Sequence, residues 1–141
     1  MTKKIHTITC AAQVEKLGEI AEFVEECAEC FGLDVKRAFG MQVAVEEAFV
    51  NICSYAYPEG GGDATMTASA EEDCLVLEIT DKGIPFNVLL LPDPDTSKDI
   101  AEREIGGLGG YFIRRLTDNV SYRRENEENI LKLVLHRTGG S

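Results

Sequence analysis

Residues 74–86 read CLVLEITDKGIPF, a run of alternating apolar residues followed by a carboxylate and a tight turn. Leu75, Leu77 and Ile79 share one face of the predicted strand, and the period of two places Asp81 on the same face. A buried aspartate requires a hydrogen-bond donor, and the exocyclic amine of adenine is a suitable one, with Gly83 letting the backbone approach a flat ring. The alternative is a plain strand-end turn with Asp81 in water.

The segments around this strand predict an α+β fold. Strands are expected at about residues 3–9, 64–70, 73–81, 119–125 and 129–137, and helices at about 13–31, 35–57 and 111–118. Hairpins rather than βαβ units join the strands. This order favours a two-layer sandwich in which a mixed, mostly antiparallel sheet carries about three helices on one face.

Composition limits the classes of protein to which the chain can belong. Its 141 residues, 44 % of them hydrophobic, suit one domain over residues 1–141. A formal net charge of −11 disfavours nucleic acid and membrane surfaces as partners. Because no apolar run approaches the roughly 18 residues of a membrane span and the first residues do not resemble a signal peptide, we expect a cytoplasmic protein.

Five cysteines with scattered spacing favour a reducing compartment and buried free thiols over a disulfide framework. Cys27 and Cys30 form one CxxC late in a predicted helix, without the second ligand pair of a zinc site or the preceding strand of a redox motif. We interpret them as two small side chains one turn apart.

The second predicted helix carries VAVEEAFVNICSY over residues 43–55, with apolar residues at helical spacing. Glu47 and Asn51 are four residues apart and therefore lie one above the other on the helix. A carboxylate and an amide in this arrangement suit a hydrated magnesium ion and a general base. The alternative is an ordinary solvated helix face, since glutamate is common on helix surfaces.

Four glycines precede the last predicted helix. The cluster consists of Gly106, Gly107, Leu108, Gly109 and Gly110. Unhindered backbone amides at a helix start bind phosphate without lysine, whereas a hinge is the simpler interpretation of so many glycines. The loop before the cluster, at about residues 87–106, has no sustained period and is predicted to be a lid. Within it Arg103 is the candidate for contacting a terminal phosphate, unless it pairs with the acidic residues on either side.

Taken in order, these segments resemble the three conserved boxes of the GHKL ATPases. The boxes are Glu47-x-x-x-Asn51, Asp81-x-Gly83-x-Pro85-Phe86 and Gly106-Gly107-Leu108-Gly109. The DxGxPF and GGLG forms resemble the anti-sigma-factor serine/threonine kinase branch more narrowly. Many relatives have a histidine four residues after the helix asparagine, where this chain has Tyr55.

The resemblance implies a role for each matching residue. Glu47 corresponds to the general base that acts on a substrate hydroxyl, and Asn51 to the magnesium ligand. Asp81, with Gly83 beside it, corresponds to the adenine-reading carboxylate. Gly107 and Gly109 correspond to the glycines that cradle the phosphates.

The same resemblance implies a function. With ATP and Mg²⁺, such a protein phosphorylates a serine or threonine of an anti-anti-sigma protein and otherwise sequesters a sigma factor, usually as a homodimer. The alternative is a non-catalytic ATP-binding module that sequesters a transcription factor. A sensor histidine kinase fragment would need a phosphoacceptor histidine on an upstream helix, but His6 and His136 both lie in predicted strands.

Overall fold

Five strands and three α-helices make up residues 2–90 and 110–137, which are the residues that the computed structural model describes, with side chains from His6 onward. In chain order the elements are β1 (Thr2–Ala11), α1 (Leu17–Phe31), α2 (Val35–Asn51), β2 (Asp63–Glu71), β3 (Cys74–Asp81), α3 (Tyr111–Leu116), β4 (Asn119–Glu125) and β5 (Glu128–His136). Two 3₁₀ turns, Val14–Lys16 and Val88–Leu90, and a π-helical turn, Ile52–Ala56, complete them.

The strands form one sheet in the order β1-β2-β3-β5-β4. Every pair of neighbours is antiparallel, so the predicted α+β sandwich is confirmed, while the expected mixed character is not found among the described strands. The last strand, β5, lies between β3 and β4. This arrangement places Asp81, at the end of β3, directly opposite Asn129 at the start of β5.

The core lies between one face of the sheet and the helices. On β3, Leu75, Leu77 and Ile79 are almost fully buried, as their alternation predicts. The apolar stripe of α2 and the turn after it packs on this face. Its buried apolar members are Met41, Ala44, Val45, Ala48, Phe49, Ile52 and Ala56.

The boundaries of all three helices differ from the predicted ones, and α3 ends at Leu116 rather than at residue 118. The first helix begins with a 3₁₀ turn and becomes α-helical only at Leu17; it ends at Gly32, which adopts the left-handed conformation with φ 85°. Asp34 caps α2 by accepting a hydrogen bond from the Arg37 amide at 2.8 Å. The second helix was expected to reach Tyr57, but its α-helical part ends at Asn51 and the chain continues as the π-helical turn.

All five cysteines are free thiols. Cys27 is buried, and burial raises the pKa of its thiol to about 12. The prediction that the thiols are buried holds for Cys27 alone, since Cys10, Cys53 and Cys74 are half-buried. Cys30 is exposed because it lies outside the apolar stripe formed by Cys27 and Phe31. Among residues 2–90 and 110–137, no group of three potential metal-binding side chains is found, and none of the helices combines the length and the apolar character of a membrane span.

Candidate functional site

A cavity of about 30 Å³ lies where the end of α2 meets the ends of β3 and β5. Of the described residues, three buried side chains are polar or charged, Asn51, Asp81 and Asn129, and all three line this cavity. Apolar side chains form the rest of the wall. They are Ala48, Ile52, Ala56, Ile79, Phe86, Val88 and Leu131, with Tyr122 beside them. A concentration of buried polar groups in one apolar cavity is typical of a ligand site.

Asp81 is 6 % exposed, so the alternative of a hydrated strand-end aspartate is wrong. Its Oδ1 atom accepts two hydrogen bonds, from the Gly83 amide at 2.9 Å and from Asn129 Nδ2 at 2.8 Å. No donor among the described residues reaches Oδ2. Burial raises the pKa of Asp81, and the two hydrogen bonds and the nearby Arg124 oppose that rise. The protein therefore provides hydrogen bonds to one oxygen of the buried Asp81 carboxylate and leaves the other oxygen available to accept one from a ligand.

Asn129 provides the second of these donors and is a site residue that was not predicted from the sequence. Its Nδ2 atom also donates to the Ile84 carbonyl at 2.8 Å. A signal was present, because Asn129 begins the alternation of Leu131, Leu133 and Leu135 just as Asp81 ends that of β3. Both strands thus place a polar residue at the cavity end of an apolar face.

The amide oxygen of Asn129 accepts three further hydrogen bonds. The donors are the Tyr122 hydroxyl at 2.5 Å, the Phe86 amide at 3.2 Å and Arg124 Nη1 at 3.2 Å. Arg124 Nη1 also donates to the Gly83 carbonyl at 2.8 Å. The turn after Asp81 is therefore attached to both β4 and β5.

The same turn packs against the π-helical turn that follows Asn51. A Cβ atom at Gly83 would lie 2.2 Å from the carbonyl oxygen of Ala56, and the Ile84 amide donates to that oxygen at 2.9 Å. Nearby, the Lys82 amide donates to the Tyr57 hydroxyl at 2.8 Å. Gly83 is thus required for close contact between two backbone segments, a role that differs from the predicted approach of the backbone to a flat ring.

Asn51 lies at the last position of α2 and is 2 % exposed, which contradicts the alternative of a solvated helix face at this position. Its Nδ2 atom donates to the Glu47 carbonyl at 2.8 Å. Its Oδ1 atom is buried and has no hydrogen-bond partner among the described residues. Burial of an unsatisfied carbonyl oxygen is costly, and a hard cation is a partner that would compensate it, so the site fits the predicted magnesium ion. Glu47 lies one turn earlier, partly buried, and does not line the cavity.

The remaining predicted site residues lie outside the described part of the chain. They are Arg103, Gly106, Gly107, Leu108 and Gly109, together with most of the predicted lid. The last residue of the glycine cluster, Gly110, is described and is buried against Val88 and Leu89, and Val88 lines the cavity. Arg114 Nη1 donates to the Leu89 carbonyl at 2.6 Å. The start of α3 is therefore held next to the cavity.

The chain is similar to known proteins over most of its length. The family described as histidine kinase-like ATPase domain matches residues 10–135. A serine-protein kinase RsbW of Halalkalibacterium halodurans is 30 % identical over 125 residues, covering 84 % of this chain and 75 % of that protein. The RsbW kinase of Bacillus mycoides is 30 % identical over 95 residues, covering 64 % of this chain and 59 % of the relative.

A crystal structure of the RsbU and RsbW domains of a Mycobacterium tuberculosis protein has the same fold. Its TM-score is 0.62 at 12 % sequence identity, and the match covers 94 % of this chain and 32 % of that one. At this identity the likeness concerns the fold alone, whereas the family match and the Halalkalibacterium relative extend to the sequence. The chain therefore belongs to the histidine kinase-like ATPase family, in the branch that contains the RsbW serine-protein kinases.

Proposed function

We propose that the chain binds ATP in this cavity and transfers the terminal phosphoryl group to a serine or threonine of an anti-anti-sigma protein. In the absence of that substrate it holds a sigma factor, as a homodimer. The observation that carries the proposal is a pair of buried acceptor atoms in one cavity. The Oδ2 atom of Asp81 receives no hydrogen bond from the described residues, and the same is true of the Oδ1 atom of Asn51. The first is an acceptor for a base amine, and the second is a ligand for a cation.

Adenine recognition falls to Asp81 and the apolar wall. Its Oδ2 atom accepts from the exocyclic amine, while Ile52, Ala56 and Leu131 offer apolar surface to the ring. The cavity has room for about one or two water molecules, so a purine enters only if lining side chains move outward. Phe86 and Tyr122 are the lining side chains that are only partly buried, and because the Tyr122 hydroxyl is bonded to Asn129, we expect Phe86 to be the one that moves.

The proposed cation ligand, Asn51, and the proposed general base, Glu47, both lie on α2. Asn51 Oδ1 would hold the magnesium ion, which neutralises charge on the phosphates during phosphoryl transfer. Such neutralisation matters in a chain of formal net charge −11. Glu47, one turn before Asn51, would accept the proton of the attacking hydroxyl. Gly106, Gly107 and Gly109 are proposed to contact the phosphates through their amides, with Leu108 between them and Arg103 at the terminal phosphate.

The test is incubation with γ-labelled ATP, Mg²⁺ and a candidate anti-anti-sigma protein. The proposal expects label on a serine or threonine of that protein and none when Mg²⁺ is chelated. ATP binding without any phosphoprotein would replace the kinase with the alternative, a non-catalytic module that sequesters a transcription factor. Calorimetry that detects no binding of ATP would contradict both versions.

A further inference from the structure

We propose that Asn129 sets the base specificity of this site by occupying one oxygen of Asp81, so that the carboxylate offers a single acceptor to the base. The inference rests on the proposed nucleotide site and adds a residue to it. Asn129 acts as a positioning residue, since it works through Asp81. The expected consequence is binding of adenine in preference to guanine.

The Oδ1 atom of Asp81 already has its hydrogen-bond donors within the protein. A carboxylate oxygen has two lone pairs, and Oδ1 receives two N–H groups, from Gly83 at 2.9 Å and Asn129 at 2.8 Å. Both lone pairs are therefore used within the protein. A ligand in the cavity finds its acceptor at Oδ2, to which no described residue donates.

The orientation of the Asn129 side-chain amide is fixed by its hydrogen-bond partners. Its Oδ1 atom faces the Phe86 amide and the Arg124 guanidinium, which can only donate. Its Nδ2 atom faces the Ile84 carbonyl and Asp81 Oδ1, which accept. Rotating the amide by half a turn would set donor against donor and acceptor against acceptor. Asn129 is 4 % exposed, so bulk water would not compensate the mismatch.

Adenine and guanine present different sets of hydrogen-bond donors to a carboxylate. Adenine presents one exocyclic amine next to a ring acceptor, so a single carboxylate oxygen is sufficient for it. Guanine presents a ring N–H and an amine side by side, and two parallel donors bind best to a carboxylate with both oxygens available. By occupying Oδ1, Asn129 removes the second acceptor and so penalises guanine more than adenine.

The experiment compares ATP and GTP binding by calorimetry, with Mg²⁺, for the unmodified protein, for Asn129→Leu and for Ser121→Ala. Ser121 is exposed on the neighbouring strand and serves as the matched control. The ratio of ATP to GTP affinity should fall by about tenfold or more in Asn129→Leu, since a hydrogen bond to a charged group has about this effect, and remain unchanged in the control. Loss of both affinities by one common factor would mean that Asn129 is merely structural and would overturn the inference.

Two further outcomes separate the inference from the proposed function. If the unmodified protein binds neither nucleotide, the proposed function fails and the inference fails with it. If the protein binds ATP but Asn129→Leu keeps the original ratio, only the inference fails.

A measurement on the unmodified protein covers the case in which Asn129→Leu does not fold. NMR of the ¹⁵N-labelled protein should show slow hydrogen exchange of the Asn129 side-chain amide before any nucleotide is added, because the amide is already bonded to Asp81 and Ile84. Rapid exchange would show that Oδ1 of Asp81 is not held in advance, which contradicts the inference.

Discussion

The carbonyl oxygen of Ala56 lies 2.2 Å from the position that a Cβ atom on Gly83 would occupy. This approach joins the turn after Asn51 to the turn after Asp81, backbone to backbone. The contact between Gly83 and Ala56 leaves no room for a side chain at residue 83. It therefore fixes the distance between Asn51, the proposed cation ligand, and Asp81, the proposed acceptor for the adenine amine.

Replacing Gly83 with alanine should separate the two turns. The nearest atoms belong to backbone and cannot rotate away, so we expect a loss of roughly 2 kcal/mol or more in the free energy of unfolding, together with weaker ATP binding. Urea denaturation measures the first effect and calorimetry the second.

The matched control for that substitution is Gly18→Ala. Gly18 is exposed in the first turn of α1, and a Cβ atom added there would meet nothing within 4 Å, so alanine should leave ATP binding unchanged and stabilise the helix by up to about 1 kcal/mol. Equal stabilities for the two variants would show that the Ala56 contact does not constrain residue 83.

Asp81→Asn should reverse the preference of the site for a base amine. Because two donors hold Oδ1, the asparagine oxygen should take that place and its NH₂ group the place of Oδ2, where it would oppose the adenine amine. ATP affinity should fall by about a hundredfold, while ITP, whose base carries an oxygen in place of the amine, should lose much less. Calorimetry with both nucleotides decides, and an unchanged affinity for ATP would remove Asp81 from the site.

Glu47→Gln should separate binding from chemistry. The amide keeps the size of the side chain but cannot accept a proton, so ATP affinity should stay within about threefold while phosphoryl transfer falls by roughly a hundredfold or more. The measurements are calorimetry and the rate of transfer from γ-labelled ATP. Glu46→Gln is the neighbouring control, and transfer by Glu47→Gln at the original rate would exclude Glu47 as the base.

Far from the cavity, Asp118 should link stability to pH. Burial by itself would raise the pKa of Asp118, but the His136 amide and the Arg37 guanidinium, 2.8 and 2.7 Å from its Oδ2 atom, lower the pKa below the ordinary 3.8. A depressed native pKa stabilises the fold at pH values above the ordinary one, and this stabilisation disappears as the pH falls through the native pKa.

Asp118→Asn should therefore be less stable than the unmodified protein by about 1 kcal/mol at pH 7, and the difference should shrink as the pH falls below 3.8. Urea denaturation at several pH values gives the profile. Asp73→Asn, in the exposed turn between β2 and β3, should change stability by less than about 0.5 kcal/mol. A loss that is the same at every pH would exclude the ion pair as its cause.

Local pattern was sufficient to predict much of the fold and part of the site. The period of two placed Asp81 on the buried face of β3, because that property depends only on neighbouring residues. The role of Asn129 depends on β5 pairing with β3, a contact between residues 48 positions apart, and no local period encodes which strands become neighbours.

The end of the second helix shows the same limit. Ile52 and Ala56 are buried at helical spacing, so the sequence pattern continues through the point where the α-helix ends. The change to a π-helical turn accompanies the contact of Ala56 with Gly83 and Ile84, and the strands β2 and β3 separate these residues from Ala56 in the sequence. Tertiary packing, rather than propensity, accounts for it.

The insertion of β5 between β3 and β4 also has a consequence for protein synthesis. Until the ribosome has released β5, β3 has no partner along one edge and β4 has no strand to join. A nascent chain that stops short of residue 128 also lacks the side chain that holds the buried carboxylate of β3. Interrupted translation products should therefore be recognised by chaperones and proteases.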